Sequence, residues 1–441
     1  MVANKYVKCS VCGATIRLRI QVGYRNIPFM FYCPDCETEI KGEIIVDGGD
    51  KKTWMNNVEE YDSKTNTAKY VQELSSEFLQ KKIAIDSMSP ENFISPFIRN
   101  MMQGGEEKLK RINDIQRYYN NYINYKNDLK TMQDLYNNKK YDVLRIKIKD
   151  KSFELIELLK TTLPKEWNSK FINQLDFLMV IHQSRNLLIT NLLNYVNKEN
   201  VLNAPKNIQD EILPSLEKFK PLMRLYGDND KFDQYNQRMN EITENYMEIL
   251  PILLPVISSI DEYRQELMSK EYVISYGPLF ALTNLYQKMY ELFCDGIDLV
   301  IGMNNVYNRG EYDKFCKTFD RISGFENIIN SYSSKYKKYS ELLMIFDKFS
   351  TPFVMAVHNK VRNAEGHFNR QVETNNHEIV FKDLHRGNNH EIRIDYLEFA
   401  TNVVDLYNKL NVLFEYHYQL NRLYLQLYKG MQSNYAPHYK K

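Results

Sequence analysis

The chain has 441 residues, 43% of them hydrophobic, and its 58 Lys and Arg nearly balance its 56 Asp and Glu, which leaves a net charge of +2. This length is enough for two or three domains with sizeable cores, and near neutrality excludes a general attraction to nucleic acid, so any RNA site must be local. With no apolar leader and no apolar run long enough to span a bilayer, the sequence predicts an intracellular, cytoplasmic protein without a membrane partner.

Four of the six cysteines lie in the first 36 residues, in two C-x-x-C pairs separated by twenty residues. Each pair directs two thiolates at one cation, and two such turns complete a tetrahedron. The sequence therefore predicts a Zn²⁺ site of Cys9, Cys12, Cys33 and Cys36 in a zinc ribbon over residues 1–50. Because four thiolates leave no open position, the zinc is expected to replace a core too small to fold alone rather than to catalyse a reaction.

Between the two cysteine pairs the residues alternate as in β-strands. Ile16, Leu18 and Ile20 alternate with Arg17 and Arg19, which predicts a strand. Further short strands are predicted over 29–32 and 43–46. A candidate surface for nucleic acid or a protein partner is formed by Arg17, Arg19, Tyr24 and Lys41. The polar stretch from 47 to about 62 is predicted to be a linker.

A helical middle region is predicted over 63–265. Apolar residues recur at three- and four-residue intervals, the period of one helix face. The predicted long helices cover 106–138, 166–201 and 232–249. Pro251 and Pro255 are expected to kink or break the chain after the last of these. His182, among apolar neighbours, is predicted to be a histidine of the core or of a groove with its polar atoms satisfied.

The C-terminal part, 270–430, is also predicted to be helical. Its candidate helices cover 279–307, 325–349, 352–366 and 396–428. The sequence Asn-Asn-His-Glu-Ile occurs twice, at 375–379 and 388–392, and the alternation after each copy predicts a β-hairpin projecting from the bundle. The predicted fold class is therefore mainly α, with a small N-terminal zinc ribbon, long helical bundles and a β-hairpin inserted in the C-terminal helical domain.

The helix predicted over 352–366 carries a group of polar residues at its end. It begins with a proline, which suits the first helical position, and Gly366 favours its termination. At about 100° per residue, Asn363 and His367 lie one turn apart on one flank. Arg362 lies on the other flank of Asn363, so its long side chain, or unwinding at Gly366, is needed for it to meet His367 on one phosphate.

These residue types suit the cleavage of RNA without a metal ion. Histidine transfers protons near neutral pH, and arginine forms bidentate hydrogen bonds to the phosphate oxygens of a phosphorane. Asn363 is expected to orient His367 or to bind a phosphate oxygen. His358 and Lys360 are candidate contacts to the substrate backbone. Since one copy supplies only one imidazole, a homodimer with two motifs face to face would supply both an acid and a base.

The pattern Arg362-Asn363-x-x-x-His367 resembles the R-N-x-x-x-H signature of HEPN ribonucleases (higher eukaryotes and prokaryotes nucleotide-binding domains). The resemblance implies a helical domain that dimerises across a cleft and cuts RNA through the 2′-hydroxyl without a catalytic metal. Domains of this family recur in toxins and in bacterial defence against phage. The resemblance thus implies a toxin or anti-phage effector that responds to a regulatory partner or a phage-derived trigger.

Two alternatives to this hypothesis stay open. A non-catalytic protein would use the zinc ribbon and the helical bundle to bind nucleic acid or a protein partner. A metal-dependent hydrolase would use His367, His377, His385 and His390, although the sequence offers no well-spaced carboxylate partners on one element.

Overall fold

The computed structural model describes residues 2–23, 25–47, 50–62, 67–87, 94–162, 173–190, 203–263, 271–274, 279–315, 325, 349, 353, 370–373, 378–385 and 388–432. The fold is mainly α-helical, as predicted, with a strand-rich N-terminal part. Across the described residues, no helix combines the length and the apolar character needed to cross a bilayer.

The chain divides into two compact units. Unit 1 comprises Met1–Ile115, Asn245–Gln287 and Val357–Asp405. Unit 2 comprises Gln116–Glu244, Lys288–Ala356 and Leu406–Lys441. Each unit is thus assembled from three separate segments, whereas the sequence prediction divided the chain into three consecutive ranges.

The N-terminal part of unit 1 consists of short strands. They are β1 (Val2–Cys9), β2 (Thr15–Gln21), β3 (Ile27–Tyr32), β4 (Glu39–Asp47), β5 (Asp50–Asn56), β6 (Val58–Glu60), β7 (Tyr70–Ser75), β8 (Gln80–Lys81) and β9 (Ala84–Ile85). One sheet has the order β6-β1-β2-β7-β9, and a second has the order β3-β4-β5. β7 pairs with β2 in parallel, and the other neighbours in the two sheets pair antiparallel. β8 pairs antiparallel with β10 (Tyr272–Val273) in a separate two-stranded sheet.

The strands within the predicted ribbon are confirmed, but the predicted linker from 47 to 62 is wrong. That segment contains β5, which pairs with β4, and β6, which pairs with β1. The strands then continue to Ile85, so the prediction of a helical region from residue 63 is wrong at its start, and the first helix that the structure describes begins at Pro96. The sheet extends because β1 and β4 each have a free edge after the first hairpins form, and these edges bind further strands.

The helices follow the hydrophobic periodicity only in part: several short ones were not predicted, and the helix predicted over 166–201 begins at Gln174, after the extended N-cap residue Asn173. The α-helices that the structure describes are α1 (Pro96–Asn137), α2 (Tyr141–Lys149), α3 (Glu154–Thr162), α4 (Gln174–Arg185), α5 (Leu216–Gly227), α6 (Lys231–Tyr263), α7 (Leu279–Arg309) and α8 (Tyr396–Tyr428). α1 is interrupted at Gly105, whose φ of 62° lies in the left-handed region, so its long second part matches the helix predicted from 106. α8 has the predicted bounds.

The break predicted at Pro251 and Pro255 is wrong, and two other predicted helices fall on residues that the structure does not describe. α6 continues through Pro251 and Pro255 to Tyr263. Each proline removes one backbone donor, but the surrounding residues from Leu250 to Ile257 are mostly buried, and this packing holds the helix together. The predicted helices over 325–349 and 352–366 lie outside the described residues, apart from single positions.

The C-terminal hairpin is confirmed. β12 (Glu378–His385) pairs antiparallel with β13 (Asn388–Asp395), and β11 (Arg370–Glu373) adds a third strand that the sequence did not predict. The hairpin does not simply project from the bundle. Phe381 is fully buried and its ring centroid lies 5.6 Å from that of Phe399 in α8.

α8 supplies the centre of unit 2. All residues from Asn411 to Asn421 are buried, which requires neighbours on every side of the helix. The Tyr416 ring, for example, lies 6.2 Å from the ring of Phe349 and 6.4 Å from that of Phe353. Unit 2 therefore has a core large enough to be held by packing.

Candidate metal centre

Two hairpin turns present the four cysteines. One C-x-x-C pair lies at the turn between β1 and β2, and the other at the turn between β3 and β4. In each turn the N–H of the first cysteine donates to the carbonyl five residues later, from Cys9 to Ala14 and from Cys33 to Thr38, both at 2.9 Å. The two turns are thus structural copies of each other.

The residue after each C-x-x-C pair closes the turn. The N–H of Gly13 donates to the carbonyl of Cys9 at 2.9 Å, and the N–H of Glu37 donates to that of Cys33 at 2.8 Å. Both residues have a positive φ, 79° for Gly13 and 58° for Glu37. A glutamate in this conformation is strained, because its Cβ crowds the backbone. The second turn keeps its shape in spite of that cost.

The four sulfur atoms converge. The Sγ atoms of Cys9 and Cys36 are 3.7 Å apart, those of Cys12 and Cys33 are 3.4 Å apart, and all four lie within 4.8 Å of one another. A tetrahedral site with metal–sulfur bonds of about 2.3 Å has sulfur–sulfur edges of about 3.8 Å. The distances are too long for disulfide bonds, which measure about 2.05 Å. The cluster can therefore hold a metal ion, and it is the one such cluster within the part of the chain that the structure describes.

The environments of the thiols differ. Burial raises the pKa of Cys33 to about 12. A hydrogen bond of 3.2 Å with the Thr38 hydroxyl lowers the pKa of Cys36 to about 6. A metal ion binds thiolates, so its binding must displace protons from the buried thiols, and protons compete with it increasingly as the pH falls.

Cys9 and Cys33 are part of a small apolar cluster rather than of a solvent-exposed loop. The other buried members of this cluster are Val7, Ala14, Ile16, Leu18, Ile20, Ile27, Phe29, Phe31, Ile40, Ile44 and Leu74. The cluster joins the two sheets. A metal at the four sulfur atoms would consequently fix both hairpins against the same core.

A polar contact attaches the second turn to β7. Asp35, between Cys33 and Cys36, accepts hydrogen bonds from the Lys69 ammonium at 2.7 and 2.8 Å and from the Tyr70 hydroxyl at 2.6 Å. These donors hold the pKa of Asp35 below its usual value. The sequence had no local signal for this contact, because its partners lie more than thirty residues apart.

The predicted binding surface on β2 is wrong. Arg17 and Arg19 are buried, with 8% and 6% of their surface exposed. The Arg17 guanidinium donates to the Asp86 carboxylate at 2.5 Å, and Arg19 lies opposite Glu73 of β7. The alternation of residues was correct, but both faces of β2 are buried. Of the other two residues predicted there, Lys41 pairs with Glu39 at 3.0 Å, and Tyr24 lies outside the described residues.

A buried ion pair connects β7 to α1. The Arg99 guanidinium donates two hydrogen bonds to the Glu73 carboxylate, at 3.0 and 2.6 Å, and it also lies 5.2 Å from the centroid of the Tyr272 ring. Both charged side chains are less than a tenth exposed. This bidentate pair ties the strand region to the first turns of α1.

The predicted catalytic residues Arg362, Asn363 and His367 lie outside the described residues, as do His358 and Lys360. Their arrangement therefore stays a prediction.

His182 is buried in the core, as predicted, but the prediction that its polar atoms are satisfied is wrong for Nδ1, which has no hydrogen-bond partner in the described part of the chain. Its Nε2 lies 3.1 Å from a carboxylate oxygen of Glu415 in α8, and its ring stacks on that of Tyr418 with centroids 3.4 Å apart. Burial raises the pKa of Glu415, but the charge of His182 and hydrogen bonds from His182 and Gln419 outweigh burial and leave that pKa below its usual value. The pair joins α4 to α8 inside unit 2.

Comparisons with protein-family models, with curated proteins and with solved structures each find no match. What the chain does must therefore be argued from its own residues.

Proposed function

We propose that Cys9, Cys12, Cys33 and Cys36 bind one Zn²⁺ and that the ion is structural. The closed set of four thiolates supports this, since a catalytic zinc keeps a position for water or substrate. Protein purified without chelator is expected to contain about one zinc per chain, and a Cys12→Ser variant much less. A metal content that does not depend on Cys12 would contradict the assignment.

We also propose that the chain is a metal-independent endoribonuclease of HEPN type that acts as a cytoplasmic homodimer. The observation that carries this proposal is the sequence Arg362-Asn363-x-x-x-His367. The helical sequence around it and the confirmed helices on either side, α7 and α8, are consistent with a helical ribonuclease domain.

In the proposed reaction the 2′-oxygen of one nucleotide attacks the adjacent phosphorus, and the bond from phosphorus to the 5′-oxygen breaks. His367 of one protomer accepts the 2′-hydroxyl proton, and His367 of the second protomer donates a proton to the leaving 5′-oxygen. Arg362 binds the non-bridging oxygens as negative charge accumulates on them, and Asn363 orients the imidazole. The products are a 2′,3′-cyclic phosphate and a 5′-hydroxyl.

The test compares wild type with Arg362→Ala, His367→Ala and the control His377→Ala on labelled RNA. We expect each motif variant to lose about 10²- to 10⁴-fold in cleavage rate, the control to keep its rate, and the products to carry 2′,3′-cyclic phosphate. Zinc-loaded protein is used with a brief excess of chelator, and retained zinc is measured. Equal rates in wild type and both motif variants would overturn the proposal.

The same assay separates the alternatives. Loss of cleavage in His377→Ala, together with sensitivity to chelator while the structural zinc is retained, would favour the metal-dependent hydrolase. Folded wild-type protein that cuts no RNA would favour a non-catalytic binding role. A role as a toxin or anti-phage effector predicts that cells tolerate His367→Ala better than wild type.

A further inference from the structure

The turn between α1 and α2, together with α2 itself, is strongly basic. Residues 139–151 contain six basic and two acidic residues, in a chain whose overall charge is nearly balanced. The basic residues are Lys139, Lys140, Arg145, Lys147, Lys149 and Lys151, and we name them the basic α2 surface. All of them belong to unit 2.

The positive charge of this surface is only partly compensated: Asp233 lies close enough to Lys139, and Glu157 close enough to Lys151, for their charges to interact. Arg145 pairs with Asp142 at 3.2 Å, but none of the five lysines forms an ion pair with an acidic group in the described ranges of the chain. Other lysines of the same unit do so: Lys130 lies 2.8 Å from Glu244, Lys160 lies 2.7 Å from Glu157, Lys220 lies 2.5 Å from Glu217, and Lys314 pairs with Glu311. Lys139, Lys140, Lys149 and Lys151 are also exposed. The five lysines therefore create a local positive potential that a polyanion can neutralise.

Two of these lysines occupy positions that favour glycine. Lys139 follows α1 with a φ of 57°, and Lys151 follows α2 with a φ of 54°. At each place the backbone closes the helix in the same way, with the N–H of Lys140 bonded to the carbonyl of Leu135 and the N–H of Ser152 bonded to that of Lys147. Glycine is the usual residue at this position because it lacks a Cβ.

Both helix ends thus carry a lysine despite backbone strain. A positive charge near a helix C-terminus is favourable, but this accounts for a charge close to each end and not for the row of lysines between them. Strained residues that persist in a stable fold are often retained for function.

The apolar residues of α2 indicate the kind of polyanion. Leu144 and Ile148 are buried in unit 2, and the exposed large apolar side chains of this short helix are Val143 and Ile146. Helices that bind membranes in the interfacial plane present a wide apolar face in addition to their basic residues. α2 offers charge with little apolar area, which suits a phosphate backbone better than a lipid surface.

We infer that the basic α2 surface binds the phosphate backbone of single-stranded RNA. The choice of RNA rather than DNA rests on the proposed ribonuclease function, whereas the phosphate contact follows from the charges of α2. The contact is expected to be independent of sequence, because lysine ammonium groups recognise phosphate charge and not base edges.

The test measures binding without cleavage, by fluorescence anisotropy of a labelled oligouridylate whose riboses carry 2′-O-methyl groups. This probe lacks the attacking 2′-hydroxyl and cannot be cleaved by the proposed mechanism. Its binding can therefore be measured whether or not the protein is a ribonuclease. Wild type is compared with the triple variant Lys140→Gln, Lys149→Gln, Lys151→Gln. The matched control is Lys130→Gln, Lys220→Gln, Lys314→Gln, which changes the net charge equally but removes lysines that are already paired.

The surface variant is expected to bind the oligonucleotide at least about tenfold more weakly than wild type. The slope of its log affinity against log salt concentration should be smaller in magnitude by about 2, as expected for three fewer phosphate contacts on a single strand. The control should keep the wild-type affinity and slope. Equal weakening in both variants, or no binding by wild type, would overturn the inference. Binding of wild type to vesicles of phosphatidylserine and phosphatidylcholine, but not to the oligonucleotide, would overturn it in favour of a membrane.

A second variant tests whether weaker RNA binding is caused by loss of folding rather than by loss of phosphate contacts. Lys139→Gly, Lys151→Gly relieves the strain at both helix ends and should raise the melting temperature, yet it should weaken binding and reduce the salt slope. A protein that becomes more stable and binds RNA as well as wild type would show that these two lysines do not contact the phosphates.

Discussion

The strand region at the N-terminus and the helical unit 2 bury their apolar residues by different means. The apolar cluster of the strand region has thirteen buried members, and two of them, Cys9 and Cys33, belong to the metal centre. In unit 2 a single helix, α8, is buried along its whole middle part and contacts large aromatic residues. A small core depends on a cross-link such as a metal ion, whereas a large core is stabilised by packing.

The largest effect should come from removal of the metal. A chelator or Cys33→Ser is expected to unfold the strand region, because a structural zinc contributes about 10–16 kcal/mol in small zinc domains. Hydrogen exchange should become fast in β1–β4 and stay slow in the middle of α8. Cys294→Ala, at a buried cysteine of α7 outside the metal centre, is the control and should leave β1–β4 protected. Fast exchange in α8 on metal removal would contradict the comparison.

The second largest loss of stability should come from breaking the buried ion pair between β7 and α1. Arg99→Ala leaves the Glu73 carboxylate buried without its bidentate partner, which is expected to cost about 3–5 kcal/mol of unfolding free energy. Denaturant unfolding of the metal-loaded protein measures it. Lys69→Ala breaks the solvent-exposed pair with Asp35 and should have a much smaller effect. Similar losses in the two variants would show that burial does not set the strength of these pairs.

A cavity in unit 2 tests the packed core directly. Leu410 of α8 is fully buried and Leu427 of the same helix is 40% exposed. Leu410→Ala should lower the unfolding free energy by about 2–5 kcal/mol and Leu427→Ala by less than about 1 kcal/mol. Metal content should stay unchanged in both variants. A loss of metal in Leu410→Ala would mean that the metal centre depends on the packing of α8.

The smallest expected effect is a pH dependence of unit 2. Burial lowers the pKa of His417 to about 3, and its ring stacks on Tyr235 with centroids 3.8 Å apart. Between about pH 3 and the unfolded pKa of about 6.5, the unfolded chain binds the proton that the folded chain excludes, so stability falls as the pH falls through this window. The loss due to His417 should reach about 2 kcal/mol at pH 5.

His417→Phe keeps an aromatic ring there and removes the titration. The difference in stability between wild type and this variant should therefore shrink or reverse in favour of the variant from pH 7 to pH 5, as measured by denaturant unfolding at both values. A difference that does not change with pH would show that the pKa of His417 is the same in the folded and the unfolded chain.

Local patterns in the sequence were sufficient for the two cysteine turns, the strands between them, the longest helices and the C-terminal hairpin. The spacing of Cys9, Cys12, Cys33 and Cys36 predicted the two turns that converge, because each C-x-x-C turn closes on itself within six residues. The Leu- and Tyr-rich composition of the last long segment predicted α8 with its observed bounds, since a helix buried on every side is apolar all round. The mainly helical class and the C-terminal hairpin followed in the same way.

What the tertiary structure decided lies in contacts between distant segments. Arg17 and Arg19 were expected at the surface and are buried, and the carboxylate that pairs with Arg17 is that of Asp86, 69 residues later in the chain. α6 continues through its two prolines because its neighbours hold it, although the local rule predicts a break. Periodicity states which residues share a face, but the free energy of burial depends on what covers that face, and the covering segment is set by the packing of the whole chain.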